Sequence, residues 1–219
     1  MPHPLLPHGT RPRIRSRGYI PHWEVPGSNY SITFRLNDSL PRHVIERLKR
    51  ERVIAEHALT NGTRVLTAIE RMILAEQIEQ QLDRELDRHH GAAHMRDPRI
   101  ADVVAETLCF FDGVRYRLDT WSVMPNHVHV IAQPFESWTL DNILHSWKSF
   151  SAQEANKILK RRGTFWWREY FDRIIRDEAD LMRCREYVLG NPAKAGLKDW
   201  RWTSAGWKPA ERPAGGRRS

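Results

Sequence analysis

Residues 114–134, VRYRLDTWSVMPNHVHVIAQP, place two alternating apolar–polar runs on either side of Pro125-Asn126. A period of two marks a strand with one buried face, and a Pro-Asn turn between two such runs closes a hairpin. A lone hairpin cannot bury its apolar side, so further elements must cover it.

The rest of the chain supplies them. YSITFRL (30–36) alternates with Ile32, Phe34 and Leu36 on one face, and Pro41 opens a helical region that runs from His43 to about His89. Ile45, Leu48, Val53 and Ile54 mark its first part, Ile69, Ile73, Ile78 and Leu82 its second, and TNGT (60–63) divides it. DPRIADVVAETLCFF (97–111) reads as a helix capped by Asp97, and residues 140–160 as an amphipathic helix. FDRIIRD (171–177) is a short strand candidate, followed by a helix from about Glu178 to Leu189. No fixed period repeats along the chain, which excludes a solenoid. The order predicts an α+β, ferredoxin-like split βαββαβ domain: an antiparallel sheet with helices on one face. The first crossover is enlarged by a helical insertion at 43–111, and one C-terminal helix is added.

The 219 residues suffice for one domain, expected over 29–202. Residues 1–28, with Arg11, Arg13, Arg15 and Arg17, read as a flexible basic arm, and 203–219 as a flexible tail. Lys and Arg total 35 against 27 Asp and Glu, a formal net charge of +8, which makes a polyanion the first partner to consider. Cys109 and Cys184 match no metal or redox spacing and read as reduced thiols. No apolar run spans a bilayer and no signal segment opens the chain, so no membrane role and a cytoplasmic location are expected.

Within HVHV, His127 and His129 share one face of the strand with Cα atoms roughly 6.5–7 Å apart, while Val128 and Val130 face the core. Two imidazoles so placed can converge on one divalent cation, although chance strand histidines give the same pattern. A third histidine two residues on would suggest a histidine-triad hydrolase, but position 131 is Ile; the Asp-His of metallo-β-lactamase-like hydrolases is also missing. HHGAAH (89–94) reads as a helix end and loop rather than a metal site.

Any further ligand must come from a distant segment, and LMRCREYVLGNPAKAGL (181–197) is the candidate. Tyr187 and Asn191 lie four apart and stack on one helical face if the helix persists. Gly190 and Pro192 predict that it stops near Asn191, whose amide oxygen would still be available to a metal one turn from Tyr187. A tyrosine beside a metal-held phosphate can act as a nucleophile; a packing role is the alternative.

MPNHVHVI, FWWREYFDRIIRDEADL and EYVLGNPAKAGL, in that order, together with YSITFRLNDSLP, resemble the REP-associated tyrosine transposases of the single-tyrosine HUH superfamily. The likeness spans roughly residues 22–202. It implies that His127 and His129 are the metal-binding pair, with Asn191 as third ligand. It also implies Tyr187 as nucleophile, a Mg or Mn cofactor, and cleavage of single-stranded or hairpin DNA through a 5′-phosphotyrosine. Tyr170 is the rival nucleophile, but the pattern places the reactive tyrosine before Asn-Pro. The repeat-associated branch suggests a monomer, while other single-tyrosine relatives share sites in dimers.

Cations interleaved with aromatics extend this reading: Lys148, Lys160, Arg161, Arg162, Trp166 and Arg168, with Lys194 and Lys198 after the tyrosine helix, are the expected DNA contacts. Two other functions remain open: a non-catalytic single-stranded nucleic-acid-binding module, and a metal phosphodiesterase that uses water.

Overall fold

The structure, a computed structural model, describes residues 13–17 and 20–209, the first two dozen residues by backbone alone. Arg13–Arg17 (β1) and Ile20–Glu24 (β2) pair antiparallel, with Arg13 opposite Glu24 and Arg17 opposite Ile20. This part of the expected arm is therefore a two-stranded ribbon. Extended backbone in both segments lets their amide and carbonyl groups satisfy each other, which arginine side chains do not prevent. Arg11 lies outside the described residues.

The main sheet contains Tyr30–Arg35 (β3), Tyr116–Val123 (β4), His127–Pro134 (β5) and Phe171–Ile174 (β6), in the order β4-β5-β3-β6, with every neighbouring pair antiparallel. Apart from the ribbon, this is the strand set and sheet type expected from the alternating runs. Pro98–Cys109 (α3) and Leu140–Ile158 (α4) cover one face. Ile32, Phe34, Val128 and Val130 from the strands pack there with Ile100, Val104, Ile143 and Trp147. Asp97 accepts from the Arg99 N–H and Thr139 from the Asn142 N–H, so both helices start on capped ends.

The opposite face is covered as well, beyond the one-sided layout of the sequence reading. Arg42–Thr60 (α1) and Ala68–Leu86 (α2) form the insertion, and α2 starts with a Thr67–Glu70 capping box. Leu82 and Leu86 of α2 pack with Leu40 and Val44. Val53 and Ile54, by contrast, are 64% and 67% exposed, so the helical stripe of α1 outruns the core it was expected to serve.

Glu178–Lys194 (α5) lays Leu181, Cys184 and Val188 on Ile131 and Ile175. It was expected to end near Leu189, yet it continues through Gly190, Asn191 and Pro192. Proline costs one backbone donor and crowds the preceding turn. The helix nevertheless runs only two residues further, where the Ala195 and Gly196 N–H groups bond the carbonyls of Asn191 and Ala193. Burial of Pro192 and of Val188 one turn earlier against the body of the protein offsets the loss.

The ordered domain also reaches past residue 202. Thr203 bridges Ser122 on the outer edge of β4, and the Trp207 ring meets Trp121 edge-on at 5.8 Å. The Nε1 groups of Trp202 and Trp207 both donate to Asp102 Oδ1. Residues beyond 209 of the expected tail lie outside the described residues. No helix among the described residues is long and apolar enough to cross a membrane.

One turn sets how α2 returns to the sheet. Gly91 has φ +80, and a Cβ there would stand 2.3 Å from the Asp38 carbonyl oxygen. Gly91→Ala is expected to lower the unfolding free energy by more than about 1 kcal/mol, through both the left-handed backbone and the clash. Denaturant titration checks it.

Candidate active site

His127 and His129 project from β5 onto the face shared by α2 and α5, and both are essentially buried, at 0% and 2% exposure. Their Nε2 atoms lie 2.9 Å apart. Protons along this pair follow from the groups behind it. Asn126 Nδ2 donates to the carbonyls of Leu86 and His90 at 3.2 and 3.4 Å. Its Oδ1 must then face His127 Nδ1, and the 2.7 Å contact is an N–H donating to that oxygen. His127 Nε2 is left as an acceptor and takes the hydrogen of His129 Nε2. His129 Nδ1 in turn accepts from the Thr33 hydroxyl at 2.9 Å. Both rings are neutral: burial pulls His129 down to about 4 and His127 well below its ordinary value.

Residue by residue, the register explains the placement. Thr33 of β3 lies opposite His129, and Arg35 opposite His127. On the other side of the sheet position, Ser122 of β4 lies opposite His129. Between Leu118 and Thr120 the β4–β5 register shifts, so Asp119 is an extra residue. Both carboxylate oxygens of Asp119 accept from Arg185 of α5, at 2.8 and 2.6 Å. This bidentate pair ties α5 to the sheet two residues before the next site residue.

That residue is Tyr187. Its ring meets the His129 ring edge-on at 5.5 Å, and its hydroxyl donates to Asp83 Oδ2 of α2 at 2.5 Å. Burial and the facing Asp83 carboxylate raise the phenol far above its ordinary pKa, so it is protonated. Asn191 favours the phenolate slightly from one turn on, but its side-chain oxygen and nitrogen are both buried with no hydrogen bond of normal geometry. A buried amide without partners is costly. Lys194 Nζ stands 5.5 Å from the Tyr187 ring centroid.

Two features fit a small cation. The Nε2 separation of 2.9 Å equals the ~2.9 Å between adjacent ligands on a six-coordinate ion with bonds near 2.0–2.1 Å. Each ring is also fixed through its other nitrogen, by Asn126 and Thr33, and His127 donates from it as ligating histidines do. Among the described residues no group of three or more His, Cys, Asp and Glu is arranged to hold a metal.

Sequence reading missed Asp83. Burial pushes its carboxyl up to about 7, against the hydrogen bond from Tyr187 that pulls it down. The signal was present: Glu76, Glu79, Asp83 and Asp87 recur every three or four residues and form an acidic stripe along α2 and its C-terminal cap. Glu76 meets Arg176 at 2.6 Å and Glu79 meets Arg173 at 3.6 Å, while Asp83 meets the tyrosine. His89 and His90, just past the end of this helix, each leave Nε2 buried without a hydrogen bond, with the Glu85 carboxylate 4.0 Å from that of His90.

The proposed DNA contacts divide. Trp166 is 4% exposed, packs against Phe34 and Phe165 and donates Nε1 to Ser151, so it is a core residue rather than a stacking platform. Lys148 Nζ donates to the carbonyls of Trp167 and Arg168 at 2.6 and 2.8 Å, and burial lowers it to about 8; it staples a loop to α4. Arg161 is exposed but occupied by His94 and the Thr164 carbonyl. Lys160, Arg162, Arg168, Lys194 and Lys198 lie at least partly in solvent. Tyr170 packs with the α3–α4 core, on the far side of the sheet from the histidines.

Residues 94–191 match the IS200-like transposase family model. This stretch contains His127, His129, Tyr187 and Asn191, the residues to which the resemblance gives roles. A Haemophilus influenzae protein (strain ATCC 51907 / DSM 11121 / KW20 / Rd) named as a REP-associated tyrosine transposase is 29% identical over 98 residues, 37% of this chain and 54% of that protein. The chain thus spans about half the length of the curated relative it matches. A solved REP-associated tyrosine transposase bound to a REP hairpin aligns with 94% of this chain and 98% of its own at 14% identity and TM-score 0.46. A transposase structure from Deinococcus radiodurans R1 covers 81% and 96% at 13% identity and TM-score 0.32.

Asp83 also has a stability signature. In the fold it holds its proton to about pH 7, whereas unfolded it gives it up near its ordinary 3.8. A penalty on the native state therefore grows from about pH 4 and is complete above 7. Asp83→Asn removes it, and is expected to raise Tm by several degrees at pH 8, with the gain fading toward pH 4. Thermal melts across this range check it.

Proposed function

We propose that the chain cleaves and rejoins single strands of DNA with Tyr187 as nucleophile. The observation that carries the reading is the edge-on contact between the Tyr187 and His129 rings, which sets the tyrosine against one member of the paired imidazoles. The IS200-like match over the same residues supports it.

His127, His129 and Asn191 would hold a divalent cation, Mg or Mn. When bound, that cation would polarise the scissile phosphate and offset charge as it develops. For His127 the tautomer is already set, since Nδ1 carries the hydrogen. For His129 the hydrogen must move from Nε2 to Nδ1, and the Thr33 hydroxyl can rotate from donor to acceptor to receive it. Tyr187 attacks phosphorus, its oxygen becomes bonded there and the 3′-oxygen departs. The product is a 5′-phosphotyrosine and a 3′-OH. A second 3′-OH attacking that linkage restores the phosphodiester and the phenol, so the bond energy is kept and no external source is needed.

Hairpin-forming single-stranded DNA is the proposed substrate. Lys160 and Arg162, at the end of α4, line a shallow basic depression with Lys157 and Gly163, while Lys194 lies beside the tyrosine. Backbone phosphates there would be bound without base preference.

Covalent trapping tests the chemistry. With 3′-labelled hairpin DNA and Mn or Mg, wild type is expected to give a metal-dependent adduct that survives denaturing gels, and Tyr187→Phe and His127→Ala to give none. Cleavage by Tyr187→Phe without an adduct would instead establish attack by water. Binding with neither cleavage nor adduct would leave a nucleic-acid-binding module.

Changing Lys160 and Arg162 together to Ala is expected to weaken hairpin binding and to flatten the slope of log affinity against log salt by about 1.4, the value for two single-strand phosphate contacts. Fluorescence anisotropy across a salt series measures it.

A further inference from the structure

The insertion does more than cover the sheet. Between α2 and α5 runs an open cleft of about 610 Å³ whose lining includes Glu79, Asp83, Arg173, Tyr187 and Lys194. Asp83 and Tyr187 meet across it, one from each helix.

We propose that Asp83, supplied by the inserted helix α2, is the general base that takes the phenolic hydrogen of Tyr187 as its oxygen attacks phosphorus. This rests on the reading of Tyr187 as nucleophile.

The geometry favours a base over a mere anchor. The carboxylate oxygen already receives the hydrogen that must leave, at 2.5 Å. A general base has to stand within hydrogen-bond reach of the proton it removes. Neighbouring acids have arginine partners: Glu76 meets Arg176, and Glu79 and Asp180 meet Arg173, although burial still pushes Glu79 up to about 8. No such partner within 4 Å of Asp83 is found among the described residues. Its Oδ1 is buried and makes no hydrogen bond, so no other donor competes for the charge. Burial also lifts the carboxyl to about 7, near the pH at which a base works best. The charged and titratable groups facing Asp83 are Tyr187 and Lys194 from α5 and Glu79 and Asp87 along α2, with Arg173 of β6 reaching Glu79.

In the cleavage step the Tyr187 oxygen–phosphorus bond forms as the bond from phosphorus to the 3′-oxygen breaks. The phenolic proton passes to Asp83 Oδ2, and the departing 3′-oxygen takes a proton from water. In the joining step an incoming 3′-OH gives its proton to water, and Asp83 returns the stored proton to the leaving phenolate. No net proton is gained or lost by the enzyme over the cycle.

Single-turnover adduct formation on 3′-labelled hairpin DNA with Mn, followed from pH 5.5 to 9 for full-length wild type and Asp83→Asn, tests this. Wild-type rates are expected to rise to a plateau near pH 7. Asp83→Asn keeps the shape and a hydrogen-bond acceptor; it is expected to bind DNA normally yet form adduct about 10²–10⁴-fold more slowly at pH 7. Its deficit should shrink as pH rises, because hydroxide can then do the work of the base. A role in shape alone would move neither the plateau nor that recovery. Asp83→Asn forming adduct as fast as wild type, or faster, would overturn the base assignment while leaving the nucleophile intact. A wild-type rate that climbs without a plateau to pH 9 would do the same, whether or not the variant folds. No adduct in wild type would overturn both readings together.

Discussion

Asn126 has no freedom of orientation, and the site depends on that. Its amide hydrogens are committed to two backbone carbonyls where α2 ends, so its oxygen can only receive a hydrogen from His127. That single choice sets the tautomer of His127, makes its far nitrogen an acceptor, and sends the same polarity on through His129 to Thr33. Four buried side chains from two strands and one turn therefore share one consistent arrangement of protons. Because the interior leaves no water to correct a mismatch, an error at any member would strand a polar group. The same asparagine also fastens the inserted helix to the hairpin, so the cover and the histidines are positioned by one residue.

The two faces of the sheet do different work. Toward α3 and α4 the strands contribute Ile32, Phe34, Val128 and Val130 to an apolar core in which even the Trp147 indole finds its acceptor on Tyr116. Toward α2 and α5 the same strands present Thr33, His127 and His129 among carboxylates and arginines. The first face supplies the packing energy that holds the second in place. Asp83 shows the cost: a carboxyl lifted to about 7 by burial works against folding at neutral pH, and such strain concentrates where function needs it.

Much of this was legible from period and punctuation. Alternation revealed β3, β4 and β5, and with them the shared face of the two histidines; Asp97-Pro98 announced α3. Other features depend on contacts that sequence does not display. Pro192 argues locally for a helix end, but burial of Val188 and Pro192 outweighs the lost hydrogen bond, and α5 continues to Lys194. Trp166 and Lys148 sit in a stretch patterned like a nucleic-acid surface, yet Ser151 and two backbone carbonyls claim them. Asp83 stands in a helix whose apolar positions explain its packing without revealing what its acidic stripe would face.

The segment from Trp202 to Trp207 has a meaning beyond tidying the chain's end. β4 is an outer strand of the sheet, and an outer strand offers hydrogen-bonding groups to any extended neighbour. Here Thr203 bridges Ser122, the Val123 N–H bonds the Trp202 carbonyl, and Ser204 N–H bonds that of Trp121. The protein thus occupies that stretch of its own edge, with the Asp102 carboxylate clamping two indoles to keep the strap in place. A second copy cannot continue the sheet from this end of β4 without first peeling the strap away.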